Sequence, residues 1–341
     1  MKDRRTRRLD LDPAIIYFVA MLVCITLSNI RADEPNSEEG SLRCISLIAD
    51  PDFERGFTTW SPTPGRKVPT GRLTWGGDET EEVADPPAWG LAQWHSRFDL
   101  GEHVNSTPAQ GNVARFDGAK SVTQLLDLDG ASPTMLFRLD GNTEYEGVSP
   151  ERGAPWPHLL AEQRFVENPR VDQLESVPFH IQYRLLRSES HKDGGWSDQR
   201  HTAQFLFYLT VQNLNPDSPG RGDYLWFGVP MYDARHGTPT AHMAPDVGTE
   251  MKGGTGKFIY NPSGETYTDK SVVDGEWITI DKDLLPLIRE ALAMAWDRGY
   301  LQDSQDESDY GLGGMNIGWE VTGTIDVEMA FSELRIDAEL R

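Results

Sequence analysis

Three hydrogen-bonding side chains, His180, Gln182 and Arg184, stand at alternate positions of one run, Phe179 to Leu186. In an extended chain alternate residues share a face, so all three project to the same side. Tyr208 and Trp226 occupy equivalent places in two further alternating runs. An imidazole, an amide and a guanidinium beside aromatic rings suit a polyhydroxylated ligand. The rings cover its C–H faces while the planar polar groups bond its hydroxyls. Tyr224, Tyr232, Asp233 and Arg235 add the same side-chain types nearby. The set also suits proton transfer at a sugar ring. A Tyr or His can move a proton, and an amide and a guanidinium can stabilise developing negative charge. A row of polar residues is equally the ordinary solvated side of an antiparallel sheet.

Other clusters offer less. Asp140 to Glu146 and Asp303 to Asp309 place oxygen ligands at close spacing, the chemistry of a calcium loop. Neither has the full pattern of such a loop, and acidic loops on an acidic chain are commonly solvated. No cofactor is expected, with calcium the one ion for which ligands are offered. The eight His are scattered and lack Cys partners, which argues against zinc. Asp326 and Glu328 have the parity of a retaining glycosidase pair but stand without other support. No phosphate loop, nucleophile elbow or Cys–His pairing is present.

These residues must be positioned by strands. Phe179, Ile181, Tyr183 and Leu185 alternate with polar neighbours. So do Phe205, Phe207, Leu209 and Val211; Leu225, Phe227, Val229 and Met231; and Ile325, Val327, Met329 and Phe331. Period two with aromatic and β-branched enrichment predicts strands, and Gly- and Pro-rich turns separate them. One helix is predicted over Asp283 to Arg298. Its apolar residues recur at three- and four-residue steps, with Pro286 in the first turn and Gly299 at the stop. The expected fold is all-β: a jelly-roll β-sandwich with one amphipathic helix in the C-terminal half, filling 43–338 as a single domain. The stretches Pro62 to Pro87 and His236 to Gly256 read as long loops, and Cys44 as a small buried hydrophobe.

The segment from Leu47 to Trp60 (LIADPDFERGFTTW) resembles the opening of carbohydrate-binding jelly-roll modules, with an Asp, a Phe-Glu pair, a Gly and a Trp in order. Gly318-Trp319-Glu320 through Leu334 is similar to their closing strand, which lies beside the first. The resemblance covers the chain ends, and the longer middle has room for an enlarged, concanavalin-like sandwich. It implies a glycan-binding, lectin-like protein without catalysis, its partner a polysaccharide. A polysaccharide lyase or glycoside hydrolase acting on an acidic polysaccharide is the alternative. A structural cell-envelope protein is a third reading.

Composition sets the compartment and excludes partners. With 32 Lys plus Arg against 54 Asp plus Glu, the net charge is −22, so no basic surplus exists for a nucleic-acid backbone. Lys2, Arg4, Arg5, Arg7 and Arg8 precede the apolar run Ala14 to Leu27, and acidic residues follow Ala32. That order predicts a signal peptide over 1–32, a disordered acidic linker over 33–42, and export to the periplasm, cell envelope or medium. No membrane span is expected after cleavage.

Overall fold

A computed structural model describes residues 43–75, 85–101, 105–106, 113–116, 118–125, 132–249, 252–272 and 275–341. The leader and the acidic linker lie outside the described residues. The first strands are β1 (Arg43–Ser46), β2 (Phe57–Trp60), β3 (Pro69–Leu73), β4 (Trp89–Ala92), β5 (Asn105–Ser106), β6 (Val113–Phe116), β7 (Lys120–Leu125) and β8 (Thr134–Asp140). A one-turn helix, α1 (Gly141–Glu144), leads to β9 (His158–Arg164), β10 (Leu174–Ser176), β11 (Pro178–Ser190), β12 (Ala203–Asn213) and β13 (Tyr224–Asp233). Short strands β14 (His242–Pro245), β15 (Gly248–Thr249), β16 (Lys252–Gly253), β17 (Phe258–Asn261) and β18 (Ile278–Asp283) precede α2 (Leu285–Asp297). The long β19 (Tyr310–Val321) and β20 (Ile325–Leu340) close the chain.

Two nine-stranded sheets form a jelly-roll sandwich. The first runs β18-β11-β20-β8-β7-β6-β5, with β1 and β10 also on β20. The second runs β14-β17-β13-β12-β19-β9-β4-β2-β3. Their inner faces meet through aromatic pairs: Phe179 with Phe207 at 4.7 Å, and Phe205 with Phe331 at 5.8 Å. Trp319 on β19 crosses the gap, its Nε1 donating to the Phe137 carbonyl of β8 at 2.7 Å. Phe179, Ile181, Leu225, Phe227 and Val229 are fully buried, as their parity predicts.

The chain ends meet. β1 pairs antiparallel with β20, Ser46 opposite Asp337, and the Leu47 amide donates to the Ile336 carbonyl at 2.9 Å. Phe53 then packs edge-on against Phe331 at 5.8 Å. The remainder of the opening segment, β2, crosses to the second sheet. Helix α2 buries Leu285, Ile288, Ala291, Leu292 and Ala295. The Asp283 carboxylate accepts from the Leu285 amide at 3.0 Å, and Gly299 takes φ +83° at the stop.

Two expectations are corrected. Cys44 is exposed: β1 directs Ile45 towards the core, so its neighbour faces out. The predicted long loops hold strands, β3 in the first and β14 in the second. Both are edge strands with few apolar residues, so no clear alternation marks them.

Candidate functional site

The outer face of the second sheet carries the densest chemistry. On β19 the residues Ile317, Trp319 and Val321 fill the core, which turns Asn316, Gly318 and Glu320 outward. Glu320 lies between His158 on β9 and Gln204 on β12. Its side chain is 20% exposed, and its Oε1 stands 3.8 Å from His158 Nε2. Burial, and then the negative charge of Asp246, push the Glu320 carboxyl from its usual 4.5 up to about 7. Burial drives His158 the other way, down to about 4. Its Nδ1 donates to the Trp156 carbonyl at 2.5 Å, which leaves the Nε2 lone pair facing Glu320.

Four residues along β19, Asn316 stands opposite Tyr208 of β12 and Glu162 of β9. Tyr208 OH accepts from Asn261 Nδ2 at 2.8 Å. That pair needs the glycine at 228, because a Cβ there would meet Asn261 Oδ1 at 2.0 Å and Tyr208 at 2.7 Å. The side-chain oxygens of Asn261 and Asn316 are buried without a hydrogen-bond partner. A buried acceptor left alone costs about 1–3 kcal/mol, so two on one face mark a place for incoming donors.

Aromatic rings flank these amides. Trp226 meets Tyr208 at 5.9 Å and Tyr224 at 5.2 Å, both edge-to-face. Its Nε1 reaches Thr255 Oγ1 at 3.4 Å, and Thr255 donates its amide and hydroxyl to Asp246 at 2.8 and 2.6 Å. On the β2 side, Trp60 and Trp94 stack at 6.0 Å. Lys67 lies 4.6 Å over the Trp60 ring and pairs with Glu162 at 2.6 Å. An open depression of ≈ 570 Å³, lined by Trp226, Tyr224, Asn316 and Glu162 among others, runs along this face.

No protein-family model matches the chain. No curated protein matches it. Among solved structures it is similar to an endoglucanase of Rhodothermus marinus at 11% identity and TM-score 0.32, covering 70% of this chain and 97% of that one. It is also similar to endoglucanase 3 of Trichoderma harzianum, from family GH12, at 9% identity and TM-score 0.33, covering 74% and 97%. A family 11 xylanase of Neocallimastix patriciarum gives 10% identity and TM-score 0.30, covering 69% and 94%. No helix among the described residues is long and apolar enough to cross a membrane.

The five residues singled out from the sequence do not share a face. Tyr208 and Trp226 lie on the second sheet, beside the depression or within its lining. His180, Gln182 and Arg184 lie on β11 of the first sheet. There His180 approaches Glu333 at 3.1 Å and Asp281 at 3.7 Å, and Arg184 covers the Trp277 ring at 5.0 Å. Gln182 stands opposite Ser332 and Thr279. Strand parity tells which side chains leave the core; it does not tell which of two sheets the strand joins. Glu320, His158, Asn261, Asn316 and Asp246 were missed. For Glu320 and Asn316 the signal was present, since Ile317, Trp319 and Val321 alternate with them. Nothing local marks the other three.

The acidic loops are engaged by the protein's own donors. Asp140 accepts from Arg138 at 2.9 and 2.6 Å and from Arg187 at 3.2 Å. Glu144 is buried against Ser96 and the Arg97 amide. Asp306 caps Ser308, and Asp309 accepts from Asn215 and Ser304. Asp326 lies within 4.8 Å of Glu189 and His191, but the Arg187 guanidinium bonds both carboxylates.

The two perturbed groups give a pH signature. Glu320 is raised, so its contribution to stability is full below its unfolded value near 4.5 and is lost as pH rises through about 7. His158 is lowered, so its contribution is full above 6.5 and is lost as pH falls through about 4. Relative to Glu320→Gln, the wild type is expected to lose on the order of 3 kcal/mol between pH 4.5 and 8. Denaturant melts across that range measure it; parallel curves for the two proteins would contradict the burial of this carboxyl.

Proposed function

We propose that the outer face of the second sheet binds a polysaccharide, and that the protein is a glycoside hydrolase with Glu320 as proton donor. The carrying observation is a largely buried carboxyl, pushed up to about 7, on a face of aromatic rings and unpartnered amide oxygens. Rings of the Trp226 and Trp60 pairs would stack on sugar faces, and Asn261 and Asn316 would accept hydroxyl hydrogens. Glycoside hydrolysis uses two carboxyl groups in different protonation states. Asp246, whose charge reaches Glu320, is the second. The basic–apolar leader supports export, where polysaccharides are met.

A non-catalytic, lectin-like reading is favoured by one observation. The residues opposite Glu320 on both neighbouring strands are His158 and Gln204, not carboxylates. Reducing-end release from a panel of soluble polysaccharides separates the two. Release by the wild type and binding without release by Glu320→Gln establishes the hydrolase. Binding by both without release leaves a binder, and absence of binding removes the glycan reading.

Trp226→Ala is expected to weaken binding by about 1–3 kcal/mol, a loss comparable to that of a buried aromatic contact, with the fold retained. Calorimetry with a bound polysaccharide checks it. An unchanged affinity with a lowered melting temperature would make Trp226 a packing residue.

A further inference from the structure

The chain is strongly anionic, yet cations gather where the depression runs away from Glu320. Lys67, Arg164 and Arg221 line it, against the single carboxylate of Glu162. Lys67 and Glu162 satisfy each other. Arg164 and Arg221 are exposed, and their guanidinium groups make no ion pair or hydrogen bond among the described residues. Arg164 ends β9, opposite Gly314, and Arg221 stands in the turn between β12 and β13. The unpartnered Asn316 oxygen and the Trp226 ring line the same hollow, so these cations belong to the glycan face.

We propose that this end of the groove is a subsite for an anionic sugar substituent, a carboxylate or a sulfate ester, gripped by Arg164 and Arg221. The inference rests on the glycan-binding reading above and names the substrate class. A guanidinium presents its donors as a planar fork that matches both anions. A chain of net charge −22 repels a polyanion at long range. Screening at physiological salt confines that repulsion to roughly 8 Å, so the local pair of cations decides the contact. Arg164 lies six residues along β9 from His158, the partner of Glu320, which is roughly 20 Å at strand rise. The subsite therefore reads a sugar several units away from the proposed proton donor, and acts on affinity rather than on the bond broken.

The test is calorimetry of the full chain with polygalacturonate, dextran sulfate and a neutral soluble β-glucan. Arg164→Gln with Arg221→Gln is the probe. Arg335→Gln, an exposed arginine on the first sheet, controls for loss of charge. The double variant is expected to lose about 10-fold or more on an anionic polymer and under about 2-fold on the neutral one. Arg335→Gln is expected to change neither. Loss on polygalacturonate alone assigns a carboxylate, loss on dextran sulfate alone a sulfate ester, and loss on both a general anion subsite. Equal losses on charged and neutral polymers, no loss on either anionic polymer, or a matching loss in Arg335→Gln would overturn the subsite while leaving glycan binding intact. Failure of the wild type to bind any of the three would overturn the glycan reading and the subsite together.

Discussion

Glu320→Gln is expected to lower turnover on a cleavable polysaccharide by roughly 10²–10⁴-fold while leaving affinity within a small factor. The amide keeps the shape and the outward direction of the carboxyl but has no proton to give a departing glycosidic oxygen. The wild-type group is suited to that task because its carboxyl is pushed up to about 7, so a large fraction is protonated at neutral pH. Two features hold it there: partial burial, and the Asp246 charge facing it from the loop before β15. His158 adds a fixed neutral ring at 3.8 Å, its Nδ1 proton committed to the Trp156 carbonyl. The same substitution should steady the fold above neutral pH, because a neutral amide removes the buried charge. Loss of turnover with gain of stability is a combination that a merely structural glutamate would not give. Turnover within about threefold of wild type would remove Glu320 as the proton donor.

Trp319→Ala, one residue earlier on the same strand, is expected to cost about 3–5 kcal/mol of stability. Trp319 is fully buried between the sheets, edge-on to Phe205 at 5.0 Å and Tyr232 at 5.8 Å. Truncation opens a cavity between layers that strand pairing holds in place, and it leaves the Phe137 carbonyl without the indole donor. Denaturant melts at constant pH measure the loss; a cost below about 1 kcal/mol would contradict this packing of the two sheets. The pair 319/320 is thus expected to separate the strand's two faces, Trp319→Ala acting on stability and Glu320→Gln on turnover.

Much of the fold was legible because strand alternation is a local property. Phe179, Ile181, Phe205, Phe207, Leu225 and Phe227 repeat every second residue, and every one of them is buried. The α2 stripe and its Gly299 stop were legible for the same reason, being set by spacing within about fifteen residues. The resemblance at the chain ends put Leu47 to Trp60 beside the closing strand. Leu47 does bond Ile336 and Phe53 does meet Phe331. The strands that pair, β1 with the end of β20, lie just outside both segments, and Trp319 and Glu320 belong to β19 of the other sheet. The outward placement of Tyr208 and Trp226 was legible because an aromatic between the core positions of a strong strand is visible in one run.

The grouping of the site was decided by tertiary structure alone. His180, Gln182 and Arg184 satisfy the same parity rule as Tyr208 and Trp226, but β11 pairs with β18 and β20 while β12 pairs with β13 and β19. The β12–β13 pairing is local, but the partners that assign β11 and β12 to different sheets, β20 and β19, lie over a hundred residues away, as Ser332 does from Gln182 and Asn316 from Tyr208, and no local pattern encodes them. His158 met Glu320, and Asn261 met Tyr208, by the same long-range pairing. The perturbed carboxyl follows from that meeting: a glutamate's charge state depends on what is buried around it, and the sequence contains the residue but not its surroundings.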